Sequence, residues 1–91
     1  MLMAEMRERH GREEMTPRIF ADFQNADPQG RVRLNTQGTH RDLERLGLAL
    51  SDGMVVRLSD GELEADGEVE YSTEEDMWVA KIDWRVLFDG E

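Results

Sequence analysis

Carboxylates at every second position form the most distinctive chemical pattern of the sequence. The members of this acidic stripe are Glu62, Glu64, Asp66, Glu68 and Glu70. On an extended strand they point to one side about 7 Å apart, so their charges repel unless basic groups or a cation neutralise them. Three interpretations follow: a solvated face that keeps a sheet soluble, a docking surface for a basic protein partner, or a divalent-cation site. A straight strand fits the third poorly, because hard cations need oxygens that converge.

Arginines of the N-terminal half are the second group that could bind a ligand. Arg31 and Arg33 alternate in a predicted strand, and Arg41 and Arg45 lie one turn apart in a predicted helix. If the strand and helix lie side by side, these four side chains form a candidate anion-binding patch. Ordinary surface ion pairs are the alternative, since acidic residues of the same helix can neutralise the second pair.

Residues for catalysis are few. The two histidines, His10 and His40, have no sequence-level link to a nucleophile or to paired metal ligands. The absence of cysteine removes thiol catalysis, zinc thiolate sites and disulfides together. Any two of the 21 acidic residues could be drawn as an acid-base pair, which makes such a pairing uninformative. We predict a protein that is not an enzyme and that holds no metal ion or cofactor.

Alternating polarity and turn signals predict five strands. The first begins at Arg18, and there Ile19, Ala21 and Phe23 alternate with Phe20, Asp22 and Gln24 over residues 18–24, as in a strand with one wet face. Asp27-Pro28-Gln29-Gly30 has the residue types of a type I turn, which precedes a second strand at residues 31–35. Three further strands are predicted at residues 54–59, 62–71 and 77–84.

The turns between the last three strands also predict a register. Asp60-Gly61 is a two-residue hairpin signal, which places Leu58 opposite Leu63 on the inner face. The longer loop that follows places Tyr71 opposite Trp78. A slip by one residue would put apolar side chains opposite charged ones, so turn chemistry and hydrophobic pattern favour the same pairing.

One short helix is predicted between the second and third strands. Thr39 can cap its first turn, and Gly47 stands where a left-handed residue ends a helix. Leu43 and Leu46 share one face. Two helical turns are not stable alone in water, so we expect this helix to pack on the sheet and close one end of a barrel.

These elements predict an all-β protein with one short helix, folded as a small five-stranded antiparallel barrel of SH3-like type that is partly open. Gly67 would permit a sharp bend in the central strand. Residues 1–16 are predicted to be a flexible tail, and residues 17–91 to be the barrel domain. The predicted core consists of Ile19, Phe23, Val32, Leu34, Leu43, Leu46, Leu48, Leu50, Met54, Val56, Leu58, Leu63, Val69, Tyr71, Trp78, Ala80, Ile82 and Trp84.

The stretch from residue 42 to residue 69 resembles PilZ domains, bacterial barrels that bind cyclic dinucleotides. Their motif Asp/Asn-x-Ser-x-x-Gly is matched by Asp42 and Gly47, with Glu44 in place of the serine. The other PilZ motif, Arg-x-x-x-Arg, does not occur upstream, and Arg41 and Arg45 are the arginines with that spacing. Residues 18–84 are also similar to small bacterial proteins of SH3-like type. Glu44 puts a carboxylate where PilZ domains contact the ligand, so the resemblance implies a similar barrel without the ligand, and nucleotide binding is the alternative function.

Charge decides between the remaining classes of function. The net charge is −10, and residues 48–91 carry 13 acidic and 3 basic side chains. Such a surface repels phosphate backbones and anionic lipids, which disfavours nucleic acid and membranes as partners. The lack of a long apolar segment and of cysteine favours a cytoplasmic location. We predict a non-enzymatic protein-interaction module with a basic partner; a small-ligand or nucleotide-binding sensor of PilZ type is the alternative.

Overall fold

The computed structural model describes residues 16–88, in which one curled five-stranded sheet forms a half-barrel. The spatial order of its strands is β1-β3-β4-β5-β2. The strands are β1 (Arg18–Phe20), β2 (Val32–Arg33), β3 (Val55–Ser59), β4 (Glu64–Ser72) and β5 (Met77–Lys81). The helices are α1 (Gln37–Leu46) and α2 (Trp84–Phe88). Apart from Thr16, the predicted tail lies outside the described residues. No helix within residues 16–88 is long and apolar enough to cross a membrane.

The sheet is mixed, and the prediction that it is antiparallel throughout is wrong for one strand pair. β1 runs parallel to β3, with Ile19 opposite Leu58, while the other pairs are antiparallel. The chain reaches β3 from β1 only after passing through β2 and α1, so no hairpin joins the two strands. Alternating polarity is the same in both pairing modes and could not distinguish them. The register of β4 and β5, with Tyr71 opposite Trp78, is confirmed.

The hairpin between β3 and β4 differs from the predicted register by two residues. Leu58 lies opposite Ala65 rather than Leu63, and residues 60–63 form a longer turn. The Asp60 carboxylate accepts the N–H groups of the two residues that complete this turn, at 2.8 and 2.7 Å. A two-residue shift keeps every side chain on its face, so the hydrophobic pattern could not detect it.

Helix α1 begins one turn earlier than predicted. Its N-cap is Thr36, whose hydroxyl oxygen accepts the N–H of Thr39 at 3.1 Å. Thr39 is therefore inside the helix, and its fully buried side chain donates a hydrogen bond to the carbonyl oxygen of Phe20 at 2.7 Å. Gly47 ends the helix with φ 62°, which confirms the predicted C-terminus. The Thr39 hydroxyl thus attaches α1 to β1.

The inner face of the half-barrel holds the core. The buried apolar residues clustered there are Ile19, Ala21, Phe23, Val32, Leu34, Val56, Leu58, Ala65, Val69 and Ala80. Most of these residues were predicted to be in the core. Three other residues of the predicted core are instead exposed: Leu46, Leu63 and Tyr71. Leu46 is the last residue of α1, Leu63 falls in the longer turn, and Tyr71 lies near the end of β4.

Trp84 was predicted to end the last strand and instead begins α2, because β5 stops at Lys81. Its indole Nε1 donates a hydrogen bond to the carbonyl oxygen of Gly30 at 2.7 Å. Its ring also meets Phe23 edge to face, with centroids 6.4 Å apart. The tryptophan therefore ties the C-terminal helix to the turn that precedes β2.

Candidate functional site

The outer edge of β1 is the first part of the candidate site. The N–H of Ala21 donates to the carbonyl oxygen of Ser59 at 3.0 Å, which shows that the backbone N–H of Ala21 points toward β3. Alternate residues of a strand direct their backbone groups to opposite sides in the sheet plane. Arg18 and Phe20 therefore direct their N–H and C=O groups away from β3, toward the side on which α1 lies.

Side chains of α1 cover one of these two positions. The N–H of Phe20 donates to Asp42 Oδ2 at 2.8 Å, and its carbonyl oxygen accepts from the Thr39 hydroxyl at 2.7 Å. The other oxygen of Asp42 accepts a hydrogen bond from Arg45 at 3.2 Å. Within residues 16–88, no such side chain reaches the backbone of Arg18, so among these residues the edge of β1 is covered at Phe20 and uncovered at Arg18.

A groove of about 730 Å³ opens beside this edge. Its walls come from the start of β1, the C-terminal half of α1 and the β3–β4 turn. The apolar side chains that line it are Pro17, Ile19, Phe20, Leu46 and Leu48. Phe20 and Leu46 are 36% and 41% exposed, so much of their apolar surface is in contact with water. The polar members of the lining include Arg18, Arg45 and Asp60.

The charged groups around the groove are already engaged within the fold. Hydrogen bonds from backbone N–H groups of its own turn lower the pKa of Asp60 below its ordinary value. Within residues 16–88, no buried side-chain nitrogen or oxygen lacks a hydrogen-bond partner. The same residues contain no cluster of histidine, cysteine or carboxylate side chains that could hold a metal ion. The groove therefore presents exposed apolar side chains between charges that are paired within the fold.

The acidic stripe begins one residue beyond the groove-lining Gly61, and not all of it is on one strand. Glu62 belongs to the β3–β4 turn, and the other four residues lie on β4. Three of those four make ion pairs: Glu64 with Arg18 and Arg57, Asp66 with Arg57, and Glu70 with Arg31. Glu62 and Glu68 are exposed and make no ion pair with any described residue. The free negative charge of the stripe is thus concentrated at these two positions.

Glu64 shows how the fold neutralises the stripe. Burial raises the pKa of this carboxyl group, but hydrogen bonds and charge from Arg18 and Arg57 outweigh burial and leave the pKa below its ordinary value. Arg18 Nη1 lies 2.9 Å from Glu64 Oε2, and Arg57 Nη1 lies 3.4 Å from Glu64 Oε1. The carboxylate therefore stays ionised at neutral pH and links β1, β3 and β4.

Arg31 is a buried structural residue. Its Nε lies 2.8 Å from an Asp27 carboxylate oxygen, its Nη1 lies 2.6 Å from Glu70, and its Nη2 lies 3.5 Å from Glu74. Only 11% of the Arg31 side chain and 1% of the Asp27 side chain are exposed. A phosphate would have to displace carboxylates to reach this guanidinium group.

The other arginines of the predicted anion patch lie on different elements. Arg33 forms a two-bond fork with Glu75, at 2.7 and 2.9 Å, beside the β4–β5 turn. Arg45 pairs with Asp42 on α1, and Arg41 is exposed on the same helix. Strand β2 and strand β1, which α1 contacts, are at opposite ends of the strand order. The structure places Arg31 directly before β2, Arg33 on β2, and the other two arginines on α1, and three of the four are ion-paired.

Sequence reasoning missed the groove and the role of Asp42. The residue that matches the PilZ-like motif accepts a backbone N–H of β1, and Gly47 ends the helix. One signal was visible in the sequence: Phe20 is a large apolar residue at an outward position of its strand. Such a residue needs a neighbouring element to cover it, and here α1 covers it in part, with Gly38 close to its ring.

Comparisons of the chain with protein-family models, curated proteins and solved structures found no match. The function proposed below therefore depends on the geometry and charge of the described residues.

Proposed function

We propose that this protein is a non-enzymatic protein-interaction module that binds a basic partner through its acidic surface. The observation that carries the proposal is a pair of carboxylates without ion partners among the described residues: Glu62, which follows the groove-lining Gly61, and Glu68, farther along β4 opposite Val55. An apolar centre flanked by charge is the usual composition of a transient interface. We also propose that the half-barrel is of SH3-like type and that the protein is cytoplasmic.

The distribution of charge supports a basic partner. On the outer side of β3 and β4, Arg57 neutralises part of the acidic stripe, and Lys81 lies opposite Glu68. These bases are fewer than the acids, because residues 48–91 hold 13 acidic and 3 basic side chains. A surface of one sign accelerates encounter with a partner of the other sign, most strongly at low salt.

The alternative, a nucleotide-binding sensor, receives less support from the geometry. Arg31 and Arg33 are held by carboxylates of the fold, and Asp42 is hydrogen-bonded to the backbone of β1. Arg41 is the one arginine of the predicted patch that has no ion pair within the described residues. One exposed arginine gives little support to phosphate recognition, which uses several hydrogen-bond donors.

Charge reversal at one free carboxylate tests the proposal. A partner is captured at low salt from cells that make the protein, purified, and its association rate is measured with the parent, Glu68→Lys and Glu44→Lys. Glu44 is exposed on α1 and is not part of the acidic stripe. Its replacement by lysine changes the net charge by the same amount as Glu68→Lys, which makes it a matched control. We expect Glu68→Lys to slow association several-fold, Glu44→Lys to have little effect, and the parental rate to fall with salt. Equal effects of the two variants, or no retained partner, would contradict the proposal.

A further inference from the structure

At Arg18, but not at Phe20, the edge of β1 presents backbone N–H and C=O groups with which an added strand can pair. The N–H and C=O groups of Phe20 are satisfied by Asp42 and Thr39, whereas those of Arg18 face the groove side and have no such cover from residues 16–88. An uncovered strand edge is a template for an added strand. The cover at Phe20 limits any added segment to the beginning of β1.

Apolar surface lies next to this backbone site. Phe20 and Leu46 line the groove and are 36% and 41% exposed, and Pro17 and Leu48 complete the apolar lining. An extended chain alternates its side chains, so a segment paired with Arg18 would direct every second side chain toward this surface. Burial of apolar side chains there is the main source of affinity, since the edge supplies only one residue's pair of hydrogen bonds.

The charge at the end of the groove indicates the kind of segment. Asp60 and Gly61 line the groove, and the next residue, Glu62, is an exposed carboxylate with no ion pair among the described residues. Arg18 and Arg45, the basic residues of the lining, are paired with Glu64 and Asp42. The unbalanced charge at this end is therefore negative, which favours lysine or arginine in the bound segment.

We propose, on the premise of the function proposed above, that the groove binds an extended basic segment of the partner protein by strand addition. The segment pairs with Arg18 of β1, places an apolar side chain between Phe20 and Leu46, and directs a basic side chain toward Glu62. This is the recognition mode in which backbone bonds set the register and side-chain contacts select the sequence.

Peptides selected from a random ten-residue display library against the full chain provide the probe. We expect the selected sequences to contain alternating apolar residues with lysine or arginine. In fluorescence anisotropy, Leu46→Glu should weaken binding of such a peptide about tenfold or more, because it places a charge in the apolar contact. Val86→Glu is the matched control, since Val86 is 58% exposed on α2 and does not line the groove. Leu46→Ala provides a second, milder variant, and melting curves confirm that all three variants fold.

Amide exchange distinguishes strand addition from other binding. With saturating peptide, the exchange rate of the Arg18 N–H should fall about tenfold or more, while that of Phe20, already bonded to Asp42, changes little. The proposal is overturned if the Arg18 N–H is protected without peptide, or if peptide leaves its exchange unchanged. Equal binding by Leu46→Glu and the parent, or failure to select any peptide, also overturns it.

The same variants separate this inference from the proposed function. If the whole partner depends on Glu68 but not on Leu46, the interaction module stands and the groove proposal fails. If the partner depends on neither residue, both fail. A parent that dimerises, and becomes monomeric in Leu46→Glu, would assign the groove to a second copy of the chain and overturn the basic segment as its occupant.

Discussion

The carboxylate of Asp42 accepts the backbone N–H of Phe20 at 2.8 Å, so a helix side chain occupies the place of a neighbouring strand at the sheet edge. With the Thr39 hydroxyl on the adjacent carbonyl oxygen, both backbone groups of one β1 residue are satisfied. Edges left unpaired invite association with other chains, and natural proteins often cover them. Of the two β1 residues whose backbone groups point away from β3, this pair of contacts covers Phe20, and nothing within residues 16–88 covers Arg18 in the same way.

Replacement of Asp42 by alanine should therefore destabilise the fold. The variant leaves the Phe20 N–H without its acceptor and removes a contact between α1 and β1. We expect a loss of about 1 to 2 kcal/mol in the free energy of unfolding, measured by urea denaturation. Glu44→Ala, an exposed change on the same helix, is the control and should lose less than about 0.5 kcal/mol. Equal losses in both variants would contradict the assigned role of Asp42.

Gly67 lies at a tightly packed position between strands. A Cβ atom at this position would lie 3.1 Å from the Ala80 side chain and 3.2 Å from those of Ile82 and Leu58. Gly67→Ala should cost about 1 to 3 kcal/mol, because three packed side chains would have to move by a few tenths of an ångström to admit the methyl group. Adding Ala80→Gly should restore part of that loss, since it removes the nearest atom. Strictly additive losses in this double-mutant cycle would show that the two positions are not in conflict.

Hydrophobic alternation was sufficient to locate β3, β4 and β5, because each runs long enough to show its period. It could not reveal the parallel pairing of β1 with β3, which depends on the path of the chain through α1. It also placed Leu63 in the core, since a hairpin shifted by two residues keeps the same alternation. The deciding contacts, such as those of the Asp60 carboxylate, are local hydrogen bonds that have no periodic signal.

The candidate site was less predictable than the fold. The acidic stripe is visible in the sequence, but its neutralisation by Arg18, Arg31 and Arg57 depends on tertiary pairing. Burial can also depend on tertiary pairing that the sequence does not show. Val79 is fully buried although the two residues paired with it, Arg33 and Glu70, are charged. The groove arises only where α1 meets the start of β1, so no single segment encodes it.

Arg31 should be one of the most sensitive positions in the domain. Arg31→Met removes the partner of Asp27, whose side chain is 1% exposed, and leaves a buried carboxylate without its cation. Loss of one member of a buried pair costs about 3 to 5 kcal/mol, enough to unfold much of a domain of this size. The double variant Arg31→Met with Asp27→Asn should be more stable than Arg31→Met alone. If it is less stable, the cost does not come from the unpaired charge.

Stability should fall in acid. Burial raises the pKa of Asp27, but hydrogen bonds and charge from Arg31 outweigh burial and lower it overall; the hydrogen bond from Arg33 lowers that of Glu75. A carboxyl group whose pKa is lower in the folded state stabilises the fold above its unfolded pKa, and that contribution is lost as pH falls through the folded value. We therefore expect stability in urea to decline from about pH 4 downward. Glu75→Gln should flatten the decline, and an unchanged acid profile would contradict its role.

The acidic stripe should respond unequally to loss of charge at two of its members. Glu64→Gln removes ion pairs with Arg18 and Arg57, which at a partly exposed site should cost at most about 1 kcal/mol. Glu68→Gln removes a carboxylate that makes no ion pair with a described residue, so relief of repulsion should make it neutral or slightly stabilising. Urea denaturation at low salt measures the difference between the two variants. High salt should shrink that difference, because exposed charges are screened over about 3 Å at 1 M. A larger loss for Glu68→Gln than for Glu64→Gln would mean that Glu68 makes a specific contact within the fold, and the free charge assigned to it would be wrong.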